Sequence, residues 1–302
     1  MSSPSADTTA TLQIHERKDL PGLNIDGLTI RFGGHTAVNH LTMSAPIGQV
    51  TGLIGPNGAG KSTTFNACSG SLTPSEGSIF FDGVDLTKAP ESKRAHLGIG
   101  RTFQRIELFD SLTVRENVQL GREARLAGTS PITQLLPRKG ERTMVAEAAE
   151  RAMEQCGILD VANARAGRLS TGQRRLVELA RALAGDFRLL LLDEPSSGLD
   201  HSESDAFTAL LLKVVAENGV GILIVEHDMN VISGLCDYTY VLDFGQLIFE
   251  GLPREVLSSE IVRKAYLGTE DLGIEDSDET DPPQDSGASG NLNGTGPHRD
   301  HA

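Results

Sequence analysis

Apolar and polar positions alternate in two different ways along the chain. Residues 28–32, 37–43, 50–54 and 78–81 are short apolar or alternating runs separated by Gly, Asn and Pro, which predicts strands, antiparallel at the start. From about residue 112 to 169 apolar side chains recur at helical spacing, through Val145, Ala149, Met153 and Ile158, and the stretch PITQLLPRKG interrupts them as a loop. Leu176, Leu179, Ala180 and Leu183 then mark one face of a further amphipathic helix. The runs 189–192 and 222–225 are continuously apolar, as expected of central parallel strands covered on both faces. The pattern predicts an α/β fold with an antiparallel β start, a helical stretch over about 112–169 and a doubly covered parallel layer after it.

The ends break this pattern. Residues 1–23, rich in Ser, Thr, Asp and Pro, and 273–302, rich in Gly, Asp, Pro and Asn, show no periodicity and are expected to be disordered tails around one module over 24–272. No repeat of 20 to 50 residues is visible, so one module per chain is the simplest count.

Charge and composition narrow the function. The formal net charge is −14, and nine acids against one arginine between Glu270 and Asp300 place eight of those charges at the C-terminal end. Without a basic stripe there is no footprint for nucleic acid. The three cysteines, Cys68, Cys156 and Cys236, are far apart and lack metal-type spacing, which fits reduced thiols in a core. No apolar run approaches the ~20 residues of a membrane span, and the polar start lacks a signal-peptide stretch. Any membrane role is expected to come through a partner.

The chemistry begins at residues 55–62, GPNGAGKS, which follow a predicted strand and precede a helix predicted over 63–68. Glycines 55, 58 and 60 let backbone N–H groups turn inward as an anion nest, to which the helix start adds its positive dipole end. Lys61 is expected to reach the β and γ phosphates and the Ser62 hydroxyl to ligate Mg²⁺. Gly55, Pro56, Asn57, Gly58, Ala59, Gly60, Lys61, Ser62 and Thr63 are thus the candidate contacts to ATP. In LLLLDEP, two acids end a buried strand; Asp193 is expected to hold the metal through water and Glu194 to act as general base, although such a pair by itself is also an ordinary solvated turn. LSTGQ precedes the amphipathic helix, and Ser170 with Gln173 also fits a purely structural capping box.

The order of these motifs resembles the ABC transporter ATPase family, because LSTGQ lies just upstream of the Asp193–Glu194 strand and looks like that family's signature sequence. The resemblance implies an α/β P-loop NTPase with a RecA-like core, an antiparallel β subdomain near the N-terminus and a helical subdomain over about 105–170, in which Ser170, Gly172 and Gln173 bind the γ phosphate held by the P-loop of a second ATPase subunit. Thr171 stands where the commonest family form has glycine. Gln104 in RTFQ resembles the Q-loop glutamine, implying a ligand to Mg²⁺ and water. Asp200 in SGLD resembles the D-loop, and His227 in VEHD the switch histidine, implying contact with the γ phosphate. Phe32 falls where the family places an aromatic that stacks on adenine; a plain core phenylalanine is the alternative.

The segments GIGRTFQ and LTVRENV and the ending AYLG are similar to the ATPase of branched-chain amino acid importers, a likeness covering about residues 24–268. It implies permease subunits and, indirectly, a solute-binding protein as partners, a peripheral place on the cytoplasmic side of a membrane, and amino acids or another small polar solute as cargo. The rival readings are a soluble ABC ATPase acting on a macromolecular partner, and a P-loop kinase or regulator.

Overall fold

The computed structural model describes residues 20–102, 108–127 and 140–267, all in the unit Met1–Glu270; the second unit, Asp271–Ala302, lies outside the described residues. Two sheets organise the described unit. β1 (Gly22–Phe32) and β2 (His35–Pro46) form an antiparallel pair in which Leu23, Ile25 and Leu28 face Ala45, Met43 and Leu41, all buried. β4 (Glu76–Phe81) adds to the other side of β1, and the two-residue β5 (Val84–Asp85) closes the order β2-β1-β4-β5.

The second sheet has the order β10-β9-β3-β8-β7-β6. β3 (Val50–Ile54), β7 (Leu189–Asp193) and β8 (Gly221–Val225) are buried at every residue and pair in parallel; the unbroken apolar runs predict this for β7 and β8, whereas β3, grouped by sequence with the antiparallel start, joins the parallel sheet with Thr51 and Gly52 buried in it. β6 (Ile99–Arg101) extends the parallel set beyond β7, β9 (Tyr238–Asp243) extends it beyond β3, and β10 (Gln246–Gly251) folds back antiparallel on β9. The helix α1 (Lys61–Ser69) follows β3, and its Phe65, Ala67 and Cys68 join one buried cluster with Ile25, Met43 and Ile79 of the first sheet and Leu53, Leu191 and Val225 of the second. Strand ends of the parallel set therefore open beside the first turn of α1, the usual place for a ligand in an open α/β sheet.

The other helices are α2 (Glu91–Leu97), α3 (Val114–Ala127), α4 (Glu141–Gln155), α5 (Thr171–Ala184), α6 (His201–Asn218), α7 (Met229–Leu235), α8 (Pro253–Ser258) and α9 (Glu260–Leu267). α3, α4 and α5 pack on one another, with Val145, Ala149 and Met153 turned inward as their spacing predicts. Among the described residues no helix is long and apolar enough to cross a membrane.

Several expectations shift. β1 starts at Gly22, inside the segment expected to be a tail. Ile158 is buried but lies beyond the end of α4, in the turn after it. α5 does not bury the predicted stripe alone: Leu176 and Leu183 are only half-buried, whereas Arg175, Val177, Glu178, Leu179, Ala180, Ala182 and Ala184 are buried. The helix is covered by α3 and α4 and also by the turn at Ser197, and the Arg175–Glu178 ion pair at 3.0 Å makes the charged positions tolerable inside. Most of the PITQLLPRKG loop, residues 131–139, and Gln104 lie outside the described residues.

Candidate nucleotide-binding and hydrolysis site

The loop from Gly55 to Gly60 needs glycine for two separate reasons. Gly55 has φ +148° and a Cβ there would lie 2.0 Å from the Leu242 carbonyl oxygen; Gly60 has φ +98° and its Cβ would lie 2.6 Å from the Ala37 oxygen. Gly58 faces open space and needs only its φ of +81°. The β9–β10 turn clamps the loop, since the Gly245 N–H donates to Ala59 O at 3.0 Å while Gly245 O accepts from the Asn39 N–H at 2.8 Å. Pro56 and Ala59 are buried, Asn57, Gly58 and Ser62 are exposed, and Thr63 is half-buried in the first turn of α1.

Lys61 is buried and its ammonium donates to the carbonyls of Gly55, at 2.6 Å, and Pro56, at 2.9 Å. Burial lowers its pKa, and the carboxylates of Glu194 and Asp193 oppose that shift. The cation thus stands on the loop within electrostatic reach of the acid pair. Asp193 ends β7 almost fully buried, which raises its pKa; the Arg101 guanidinium, 3.8 Å away, opposes the rise. Glu194 leaves the strand in a left-handed conformation, φ +47°, with its N–H donating to Val225 O at 2.8 Å. That turn separates the two acids, one packed inside and one half-buried.

The signature segment does contain the capping box. Ser170 is the N-cap of α5, the Gln173 N–H donates to Ser170 Oγ at 3.2 Å, and the Ser170 N–H donates to Gln173 Oε1 at 3.2 Å. This does not exclude a ligand role, because a hydroxyl that accepts one bond still has its own proton to donate. Asp200 caps α6 in the same way: its Oδ1 accepts from the Glu203 N–H at 2.8 Å, and its own N–H donates to Glu203 Oε2 at 3.2 Å. The two caps touch. A Cβ on Gly172 would lie 2.4 Å from Glu203 Oε1, and one on Gly198 would lie 3.4 Å from Thr171 Cγ2.

His227 follows β8 with an exposed side chain, and together with Ser196, Ser197, Asp200 and Ser204 it lines a depression of about 300 Å³. Phe32, at the end of β1, is 51% exposed, which removes the core reading. The structure therefore gathers Lys61, Asp193 and Glu194 at one place, and Ser170, Gly172, Gln173 and Asp200 at another. Among the described residues no hydrogen bond or ion pair joins residues 170–173 to 55–63.

Two residues of this neighbourhood were not singled out in the sequence. Arg101 sits beside Asp193, stacks over Phe65 at 5.0 Å and donates to Ser69 Oγ at 2.8 Å. Glu226, next to His227, is fully buried. An acid directly after a continuous apolar strand was the available signal.

Comparison with known proteins identifies the family. The ABC transporter family profile matches residues 38–197, and that of the branched-chain amino acid ATP-binding cassette transporter matches residues 246–271. The chain is 38% identical over 251 residues to the high-affinity branched-chain amino acid transport ATP-binding protein BraF of Pseudomonas aeruginosa, covering 82% of this chain and 98% of BraF. The ADP-bound ATP-binding cassette MJ1267 superposes with a TM-score of 0.73 at 33% identity, over 82% of this chain and 99% of that one. The cassette MJ0796, dimeric in a post-hydrolysis state with ADP and Pi, superposes at 0.65 with 26% identity, over 77% and 99%. The chain belongs to the ABC transporter family, as an ATP-binding subunit that hydrolyses ATP to drive transport.

Proposed function

We propose that this subunit powers the import of branched-chain amino acids, or of a similar small polar solute, as one of two ATPase chains bound to permease subunits on the cytoplasmic face of a membrane. The observation that carries the solute class is the match of residues 246–271 to the branched-chain amino acid cassette profile, supported by BraF. The solute-binding protein is an indirect partner.

In this reading Gly55 to Thr63 wrap the phosphates with backbone N–H groups and the first turn of α1. Lys61 exchanges its carbonyl partners, Gly55 and Pro56, for β and γ phosphate oxygens. Phe32 stacks on adenine from the end of β1. The available donors suit Mg²⁺: the exposed Ser62 hydroxyl and the Asp193 carboxylate are hard oxygens, and Lys61 feels the Asp193 charge from the phosphate loop. Gln104 completes that set. When bound, Mg²⁺ neutralises charge on the transferring phosphate.

Glu194 takes the proton of the attacking water and His227 steadies that water and the γ phosphate. Ser170, Gly172 and Gln173 of the second chain close over the same phosphate, with Asp200 at the seam, so neither chain holds a complete site. Closure excludes water and reopening after hydrolysis moves the attached permeases as rigid bodies. The nucleotide module is taken to span residues 24–272.

The test is affinity purification of the tagged full chain from solubilised membranes, with identification of the co-purifying proteins. Two permeases, a second ATPase and an amino-acid-binding protein are expected. Recovery with ribosomes alone would overturn the reading in favour of a soluble ATPase.

A further inference from the structure

We infer that Glu226 is a positioning residue for hydrolysis, a buried latch that ties the turn after Glu194 to the loop carrying His227. The inference rests on the roles proposed for Glu194 and His227.

Glu226 is 0% exposed, and burying a carboxylate is costly unless donors surround it. Its Oε1 accepts from the Ser196 N–H at 2.9 Å and from the Ser196 hydroxyl at 2.6 Å, while Oε2 faces the His227 N–H at 3.3 Å. The carboxylate thus spans two strand ends, holding the chain two residues after Glu194 with one oxygen and the backbone of the switch histidine with the other. Glu194 itself needs such support. A non-glycine residue at φ +47° is strained and persists only where its neighbours enforce it. Val225 O fixes its N–H, the Ser197 N–H donates to Glu194 O at 3.1 Å, and Ser196 is pinned by Glu226.

The same latch reaches further. Ser196 opens the turn that continues through Gly198, packed on Thr171, to Asp200, the cap of α6. The Arg175 guanidinium on the signature helix donates to Ser197 O at 3.4 Å. One buried carboxylate therefore sets the general base, the switch histidine and the start of the turn that meets the signature helix. A hydrophobic residue of similar size would fill the space without tying these parts together, so the contacts Glu226 makes serve geometry more than packing.

The test compares Ser196→Ala, Ser196→Thr, Glu226→Gln and the Ser196→Ala/Glu226→Gln double variant in the full chain, by ATPase kcat and KM and by ATP affinity. Ser196→Ala is expected to lower kcat about tenfold with KM and ATP affinity within about twofold, because a misplaced base costs turnover and not binding. Ser196→Thr, which keeps the hydroxyl, restores kcat to within about threefold, and the double variant falls no further than the worse single one. Wild-type kcat in Ser196→Ala, a loss confined to KM, or additive losses in the double variant would overturn the inference. Glu194→Gln, run alongside, separates the two levels: if it too turns over at the wild-type rate, the assignment of the base is wrong, whereas its inactivity beside an unaffected Ser196→Ala removes the latch alone.

Discussion

Replacing Arg94 with alanine removes a buried guanidinium that holds the C-terminal end of α1. Arg94 is 1% exposed and donates to Ala89 O at 3.0 Å, Ala67 O at 2.7 Å, Cys68 O at 2.8 Å and Leu86 O at 2.6 Å. Ala67 and Cys68 lie in the last turn of α1, where the Gly70 N–H reaches Ala67 O only at 3.3 Å and the dipole end attracts a cation. Four bonds from a charged donor, at about 1.5–3 kcal/mol each, total roughly 6–12 kcal/mol. The desolvation cost of the buried cation, and water entering the vacated space, reduce the net loss to about 3–5 kcal/mol, the range for breaking a buried charged network. With a urea m-value of roughly 3 kcal/mol/M, the unfolding midpoint drops by about 1–1.7 M. Arg94→Lys keeps the charge but cannot serve four carbonyls on two sides, so it recovers only part of the loss. Urea unfolding followed by circular dichroism reads both variants. A midpoint shift under about 0.3 M for alanine, or full recovery with lysine, would refute the reasoning.

Three further outcomes follow from the same geometry. Gly55→Ala places a methyl group 2.0 Å from a backbone oxygen at a left-handed φ, so ATP affinity in a fluorescent-nucleotide titration should fall by at least about 100-fold, and a change within threefold would contradict the close approach. Phe32→Ala should leave thermal stability nearly unchanged, because the ring is 51% exposed, yet weaken ATP binding about three- to tenfold through lost stacking; equal loss of both would return Phe32 to the core. Burial pushes the Cys156 thiol from 9.0 up to about 12, so between those values the unfolded chain gives up a proton that the folded one keeps. That contribution is fully present below pH 9 and is lost as pH rises through the folded value. The stability gap between wild type and Cys156→Ala should therefore narrow by about 1.4 kcal/mol from pH 9.5 to 10.5, and a constant gap would contradict the shift.

The phosphate loop was legible in the sequence because its glycines answer to backbone geometry that no other residue satisfies. β7 and β8 were legible because strands buried on both faces are apolar throughout. β9 was not: Tyr238, Thr239 and Tyr240 interleave polar atoms, yet Thr239 is fully buried and the Tyr240 hydroxyl accepts a bond from the Ser44 N–H at 3.1 Å. β6, three residues long, is held by pairing with β7 and has no pattern of its own. Arg94 and Glu226 escaped for a different reason. A charged residue reads as surface in one dimension, and some of the partners that make burial tolerable lie as far as 27 and 30 residues away. The burial of α5 likewise depends on which elements cover it, and spacing alone selects only one face.

The central claim is that the phosphate loop and the signature segment of two chains complete each other's site. Light scattering on Glu194→Gln, with and without ATP and Mg²⁺, measures this most directly. The account expects the 32.2 kDa chain to double in mass only with nucleotide, and to stay single when Ser170→Ala and Gly172→Asp are added. A chain that remains monomeric with ATP bound, or that dimerises regardless of the signature residues, would contradict it.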